Sequence, residues 1–392
     1  MLHVLDDEGD LGGAGRKALL ASLDDHARAA LAARGQGDAG QVAVVEAAVA
    51  ADPAATIRFD ATGAATVTAA GRRFAGGRFE VARLCDLRAR ALAARARAGR
   101  PAAGRALWVL DGASAATDIG ALQASAAPGS LFQVASQFNC LEAPGSYVVP
   151  VADYLHDPTQ GPRASISAFP GTLVRHYAAP GDDGARFVQR SDGRQLDLLA
   201  DVCDPGVARV KNGYLRRANI ADAAAFARAL DERFEAIAVG VHAGVEVVLG
   251  ADWNGRVEGA PHRTISQVFT STVAGGMYGG LDDDPAGAAI CRQLQRAAYL
   301  GTLLAAAALG VRRVGLTLIG GGVFANPLTT IWDAIVWASD QVVPFLHAPL
   351  SIVVNGRNLG DQLPAASLAA AAVARGGLLV RFERAGARVV DA

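Results

Sequence analysis

Lysine is almost missing from this chain: among its 37 basic residues only Lys17 and Lys211 are lysines, the rest being arginine. Together with the long alanine runs, that is the coding bias of a GC-rich bacterial genome, and it means that a single alanine carries little information. Cysteine is sparse too. Cys85, Cys140, Cys203 and Cys291 are scattered, with no pair at CxxC spacing, which indicates neither a disulfide framework nor a thiolate zinc site and gives no cluster suggestive of a metal. Neither sign of charge is in excess, with 37 basic against 38 acidic residues and a net charge of -1. A footprint for nucleic acid or an anionic membrane is therefore lacking. No run of about 18 apolar residues reads as a membrane span. The start, MLHVLDDEGDLGG, lacks a basic segment followed by an apolar stretch, which points to a cytoplasmic protein and leaves open export by a route that needs no such signal.

What is present is apolar: 51% of the 392 residues are hydrophobic and 19% charged, which excludes a disordered chain and is ample for a buried core. Residues 1–104 read as a small α+β extension. It has an alanine-rich helix over 17–34, two short strands at 56–59 and 65–68 around Thr62-Gly63, and a second helix over 86–100, with no concentration of chemistry. From residue 105 the texture changes to short apolar strands, at 106–110, 131–135, 237–241, 265–270, 314–319 and 350–354, separated by helical or glycine-rich segments. That pattern predicts an α/β sheet covered on both faces. The clearest unit runs from the strand ending near Thr270 through a helix over 286–308 to the strand at 315–319, a crossover expected to be right-handed. A polar stretch at about 178–230 reads as an insertion that projects as a loop or lid.

Three segments carry chemistry. The first, Leu316-Thr-Leu-Ile-Gly-Gly-Gly-Val-Phe-Ala-Asn-Pro327, is an apolar strand feeding three glycines and then a helix over 328–339. It offers unobstructed backbone N–H groups and the positive end of a helix dipole to a phosphate. A tight turn that merely needs positive φ is the plainer alternative. A second loop, Asp157-Pro-Thr-Gln-Gly-Pro-Arg163, is bent by its prolines before another helix start, and two such loops at the strand ends of one sheet would clasp a diphosphate. In the third, Leu131-Phe-Gln-Val-Ala-Ser-Gln-Phe-Asn-Cys-Leu-Glu142, an apolar strand ends in buried amides that must be satisfied by local backbone or by a ligand hydroxyl. Upstream, Thr117-Asp-Ile-Gly120 follows the first of these strands and could present Asp118 to an amino group or a sugar hydroxyl.

Taken in chain order, from Thr117 to Pro327, these four segments resemble the macrodomain family, which binds ADP-ribose. The resemblance covers about residues 106–360 and implies a three-layer α/β/α mixed sheet. It implies that Asp118 and Ile119 meet the adenine and Asn139 the distal ribose. Gln160 and Gly161 would form the first phosphate loop, and Gly320, Gly321, Gly322, Val323, Phe324 and Asn326 the second. The chain departs from the family pattern in the missing glycine run of the first loop and in the extra segment at 178–230. The strings FQVASQFNCLE and DPTQGP are similar to a bacterial group that includes effector-type hydrolases, some acting on ADP-ribosylated ubiquitin. The implied partner is then ADP-ribose or an ADP-ribosylated protein, ubiquitin being the one the narrower group implies, and no cofactor is implied.

A hydrolase needs a group that activates water near the anomeric carbon and one that helps the leaving group. Asp157, directly before the first loop, and Glu246, an acid inside an apolar strand, are the expected catalytic residues, with Glu142 and Asp252 in reserve. Asp157 could equally cap the turn at Pro158, and Glu246 could face outward on an edge strand. Asp282 to Asp284 read as a solvated loop, His242 as a satisfied core residue, and His156 as a neighbour of Asp157. No nucleophile elbow is present, which counts against an acyl-transfer hydrolase. Two rivals remain at this level: a reader with the same pocket and no turnover, and a Rossmann-like NAD- or nucleotide-dependent enzyme using the glycine triplet. The latter lacks an acid at the end of the next strand.

Overall fold

The computed structural model describes residues 13–32, 38–99, 102–112, 115–250, 263–279, 281, 284–357 and 359–392. Among them, eleven strands form one mixed sheet. In chain order they are β1 (Ile57–Phe59), β2 (Ala65–Ala69), β3 (Arg72–Arg83), β4 (Arg105–Asp111), β5 (Leu131–Ala135), β6 (Ala238–Glu246), β7 (Thr264–Thr270), β8 (Arg313–Leu316), β9 (Leu350–Arg357), β10 (Leu379–Glu383) and β11 (Gly386–Val390). Their spatial order is β1-β2-β3-β6-β7-β5-β8-β9-β4-β10-β11. The six strands from β7 to β10 in that order are mutually parallel, and antiparallel strands extend the sheet at both edges.

The longer helices are α1 (Gly13–Ala32), α2 (Gln41–Ala51), α3 (Leu84–Ala98), α4 (Ile119–Ala124), α5 (Gln160–Ser167), α6 (Phe169–Tyr177), α7 (Ala223–Glu232), α8 (Pro285–Leu309), α9 (Leu328–Gln341) and α10 (Ala365–Val373). They cover both faces, as two glutamines show. Gln133 of β5 donates to Ala298 O and Thr302 Oγ1 of α8. Gln267 of β7, in register with Phe132 and so on the opposite face, donates to Ala164 O of α5. Helices α3, α7 and α9 gather round α8. Strands buried from two sides must be apolar along their whole length, which explains their continuous rather than alternating runs. The three-layer α/β/α architecture expected from the sequence is thus the one observed.

Helix α8 shows how locally its ends are specified. Asp284 accepts from Ala286 N, Pro285 occupies the first turn, and Gly310 ends the helix at φ 70°. The crossover from β7 through α8 arrives at β8 with β5 lying between the two strands.

Strand β3 reads from the sequence as neither strand nor helix, yet it pairs with β6 from Arg78↔Ala243 to Arg83↔Ala238. The first hundred residues therefore supply three strands to the same sheet, and Leu19, Leu23, Phe79, Leu84 and Leu87 join the core that holds Val239 and Leu300. The stretch 178–230 does not project. Its Gln189, Leu198, Leu199 and Val202 are buried, and Leu215–Arg216 pairs with Val273–Ala274 beside the strand ends. Asp252, Asp282 and Asp283 lie outside the described residues.

Candidate functional site

In a parallel sheet every strand delivers its following loop to the same edge, so a ligand crevice forms outside the carboxyl ends. A cavity of about 570 Å³ lies there. It runs from Thr272 after β7, past Ser136 and Gln137 after β5 and the 317–324 loop after β8, to Asn355 and Arg357 of β9.

The glycine loop forms its middle. Gly320 stands at φ 74°, and the amides of Gly321, Ala325 and Asn326 are spent on Leu318 O, Gly322 O and Gly320 O. The consecutive amides of Gly322, Val323 and Phe324 have no partner among the described residues, an arrangement that suits an anion. Across the cavity the first loop turns into α5. Asp157 Oδ1 accepts from Thr159 N at 2.9 Å, and α5 opens at Gln160 and Gly161 with no side-chain cap.

One end of the cavity is acidic and aromatic. Glu142 and Asp157 line it together, beside Tyr214, Tyr278 and Phe324, whose rings lie 5.4–5.7 Å apart by centroid. Glu142 packs on the backbone of α5: a Cβ on Gly161 would stand 2.1 Å from its Oε1. Burial, and after it the charge of Asp157, holds the Glu142 carboxyl well above the usual carboxylate range, against the pull of Arg175. Arg175 is itself fully buried. It donates to Cys140 O, lies 3.0 Å from His242 Nδ1 and stacks on Phe269, and its desolvation brings it down to about 9.

At the other end Arg357 lines the cavity and donates to Thr117 O at 2.9 Å. Asn355, 4% exposed, leaves Oδ1 without a hydrogen-bond partner among the described residues, and so does Thr317 Oγ1, which also lines the cavity. Such orphaned buried groups are costly unless a ligand satisfies them.

Of the residues singled out from the sequence, Asp157, Gln160, Gly161, Gly320, Gly321, Gly322, Val323 and Phe324 all line this cavity. Five others do not. Asp118 caps α4 through Ala121 N and pairs with Arg163. Ile119 N is taken by Gln160 Oε1 at 2.9 Å. Asn139 donates to Gln195 Oε1 and accepts from Leu141 N, while Asn326 donates to Val273 O and accepts from Thr272 Oγ1. Glu246, buried at the end of β6, accepts from Ala75 N across the sheet from the cavity lining. For Asp118, Asn139, Asn326 and Glu246 a polar side chain is satisfied by nearby protein, and for Ile119 the backbone amide is.

Tyr214, Thr317, Asn355 and Arg357 were missed. For the last two a signal existed: β9 ends Val-Val-Asn-Gly-Arg, the same apolar-to-polar change that drew attention to residues 136–139. Tyr214 had none, because only the folding back of the 178–230 stretch carries it to the cavity. Among the described residues no group of side chains is placed to hold a metal ion, and no helix is long and apolar enough to cross a membrane.

No family model matches the chain, and no curated protein does. Among solved structures it is similar to poly(ADP-ribose) glycohydrolase from Thermomonospora curvata, at 14% identity and a TM-score of 0.38 over 86% of this chain and 99% of that one. It is also similar to the poly(ADP-ribose) glycohydrolase of Deinococcus radiodurans in complex with ADP-ribose, at 11% identity and a TM-score of 0.36 over 72% and 91%. Overlaps this loose assign no role to any residue of the chain.

Proposed function

We propose that this chain binds ADP-ribose and hydrolyses it from an ADP-ribosylated protein. The observation that carries the reading is the cavity itself: two loops with open amides face each other across it, carboxylates and aromatic rings close one end, and a cation with unpaired polar groups closes the other. The diphosphate lies between the amides of Gly322 to Phe324 and the start of α5. The distal ribose then falls at the acidic end, covered by Phe324, Tyr214 and Tyr278, and the adenosine toward Asn355 and Arg357. Asp157 is the base for the attacking water, within a site whose rings exclude bulk solvent. A Rossmann-type dinucleotide site is disfavoured, since the strand after the glycine loop ends in Asn355 and Arg357 where an acid would hold the ribose.

Calorimetric titration with ADP-ribose, with NAD and AMP as competitors, tests the binding. Gly322→Glu is the informative variant. A side chain at Gly322 meets no atom within 4 Å, whereas one at Gly321 would crowd Leu328 and Ile331. The fold survives, and the added carboxylate faces the diphosphate, so affinity drops by about a hundredfold or more. If NAD binds and ADP-ribose gives no heat, the reading is wrong. If ADP-ribose binds and no ADP-ribosylated protein or polymer is cleaved, the protein is a reader.

A further inference from the structure

We infer that Glu142 is the proton donor to the leaving group, occupying the space that a side chain at position 161 would fill at the start of α5. The inference rests on the hydrolase reading above. Gly161 lines the cavity at the first turn of α5 and carries no side chain, and Glu142, which lines the same cavity, reaches that space from the segment after β5. An ideal Cβ on Gly161 would overlap Oε1 of Glu142 and lie 2.6 Å from its Cδ and 2.9 Å from Ala135 O, so a side chain there has to move the carboxyl aside. No hydrogen bond holds the carboxyl among the described residues, while its own amide donates to Tyr154 Oη at 3.3 Å, so the backbone is fixed and the acid group is left for a ligand.

The charged and titratable groups around it are Asp157 from the loop before α5, Arg175 from α6, Tyr154 from the 151–156 turn and Tyr214. They divide the labour. Glu142 is desolvated and faces Asp157, which favours its protonated form, while Asp157 Oδ1 accepts from Thr159 N at 2.9 Å. Two carboxyls in unlike settings are the pattern of an acid and base pair.

In the step, the water oxygen forms a bond to the anomeric carbon of the distal ribose, and the bond from that carbon to the acceptor oxygen breaks with its electron pair on the oxygen. The Glu142 proton passes to that oxygen, and the proton lost by water passes to Asp157. Exchange with solvent then returns a proton to Glu142 and removes one from Asp157.

Glu142→Gln keeps the shape of the protonated acid and removes its proton. Turnover of ADP-ribosylated protein or polymer falls by roughly 10²- to 10⁴-fold, affinity for ADP-ribose stays within about threefold, and the alkaline descending limb of the kcat profile, which reports ionisation of Glu142, disappears. Gly161→Ala, which displaces the carboxyl, lowers turnover in the same direction, and thermal melts verify that both variants fold. Turnover of Glu142→Gln within about threefold of wild type, or an alkaline limb that persists, overturns the assignment. Wild-type protein that binds ADP-ribose and cleaves nothing overturns it too, while binding stands; absence of any ADP-ribose binding brings down the proposed function itself.

Discussion

Histidines 176 and 242 are buried with little room for a second proton. His176, 5% exposed, stacks on Tyr177 at 4.3 Å with no partner for Nδ1 among the described residues, and burial lowers it to about 4. His242 lies fully buried between Arg175 and Gly76 O, and burial followed by the Arg175 charge pushes it well below its ordinary range. In the unfolded chain both take up a proton near pH 6.5. Their folded values are depressed, so the native state binds fewer protons there. The stability they contribute is complete above pH 6.5 and is lost as pH falls toward about 4 for His176. Melting temperature followed from pH 7.5 to 4.5 should fall, and His176→Phe, which keeps the stacked ring, should fall less steeply; equal slopes would mean that other groups set the acid limb. The same scale explains why Asp118, Asn139 and Asn326 lie outside the cavity lining, bonded to nearby protein. Aspartate and asparagine are the usual capping residues as well as usual ligands, and residue type alone does not tell one use from the other.

At the scale of elements, the site depends on how the N-terminal helices hold the loop that carries Asp157. Glu46 of α2, 4% exposed, accepts from Val151 N at 2.5 Å, Ala152 N at 2.7 Å and Tyr177 Oη at 2.8 Å. It thereby caps the 151–156 turn and ties it to α6. Glu46→Ala leaves a buried and a half-buried amide unpaired and should destabilise the fold by about 1–3 kcal/mol. Amide exchange should rise first in residues 151–157 and, under the proposed function, cleavage of ADP-ribosylated protein should fall more than affinity for ADP-ribose; exchange that rises uniformly would show only global destabilisation. The 178–230 stretch was expected to be a lid because it is polar. Instead its few apolar residues, Leu198, Leu199, Val202 and Tyr214, are those that pack, and its polar ones bond along the chain. Composition reports the average character of a segment, while packing is decided by a minority of its side chains.

For the whole molecule, the sheet is continuous across residue 104. Removing residues 1–104 strips β1, β2 and β3 from β6 and α3 from α8, and bares a strand edge together with an apolar helix face. A 105–392 fragment should therefore be insoluble or aggregate when expressed, and adding the 1–104 peptide in trans should recover soluble material. A monomeric, cooperatively melting fragment would show instead that the N-terminal part is a separate unit.

The central parallel strands, the long helix α8 and the glycine loop were legible in the chain, because continuous apolar runs, a capped helix and a Gly-Gly-Gly turn are local patterns enforced by local sterics and burial. Strand β3 was not, since its twelve residues contain Arg72, Arg73, Arg78 and Glu80, and its pairing is created by β6 some 160 residues away. The acidic end of the cavity belongs to the same class. Glu142, the Asp157–Gly161 loop and Tyr214 come from three separate stretches, and a side chain that occupies the space another residue lacks is a relation of distance, which no spacing along the chain encodes.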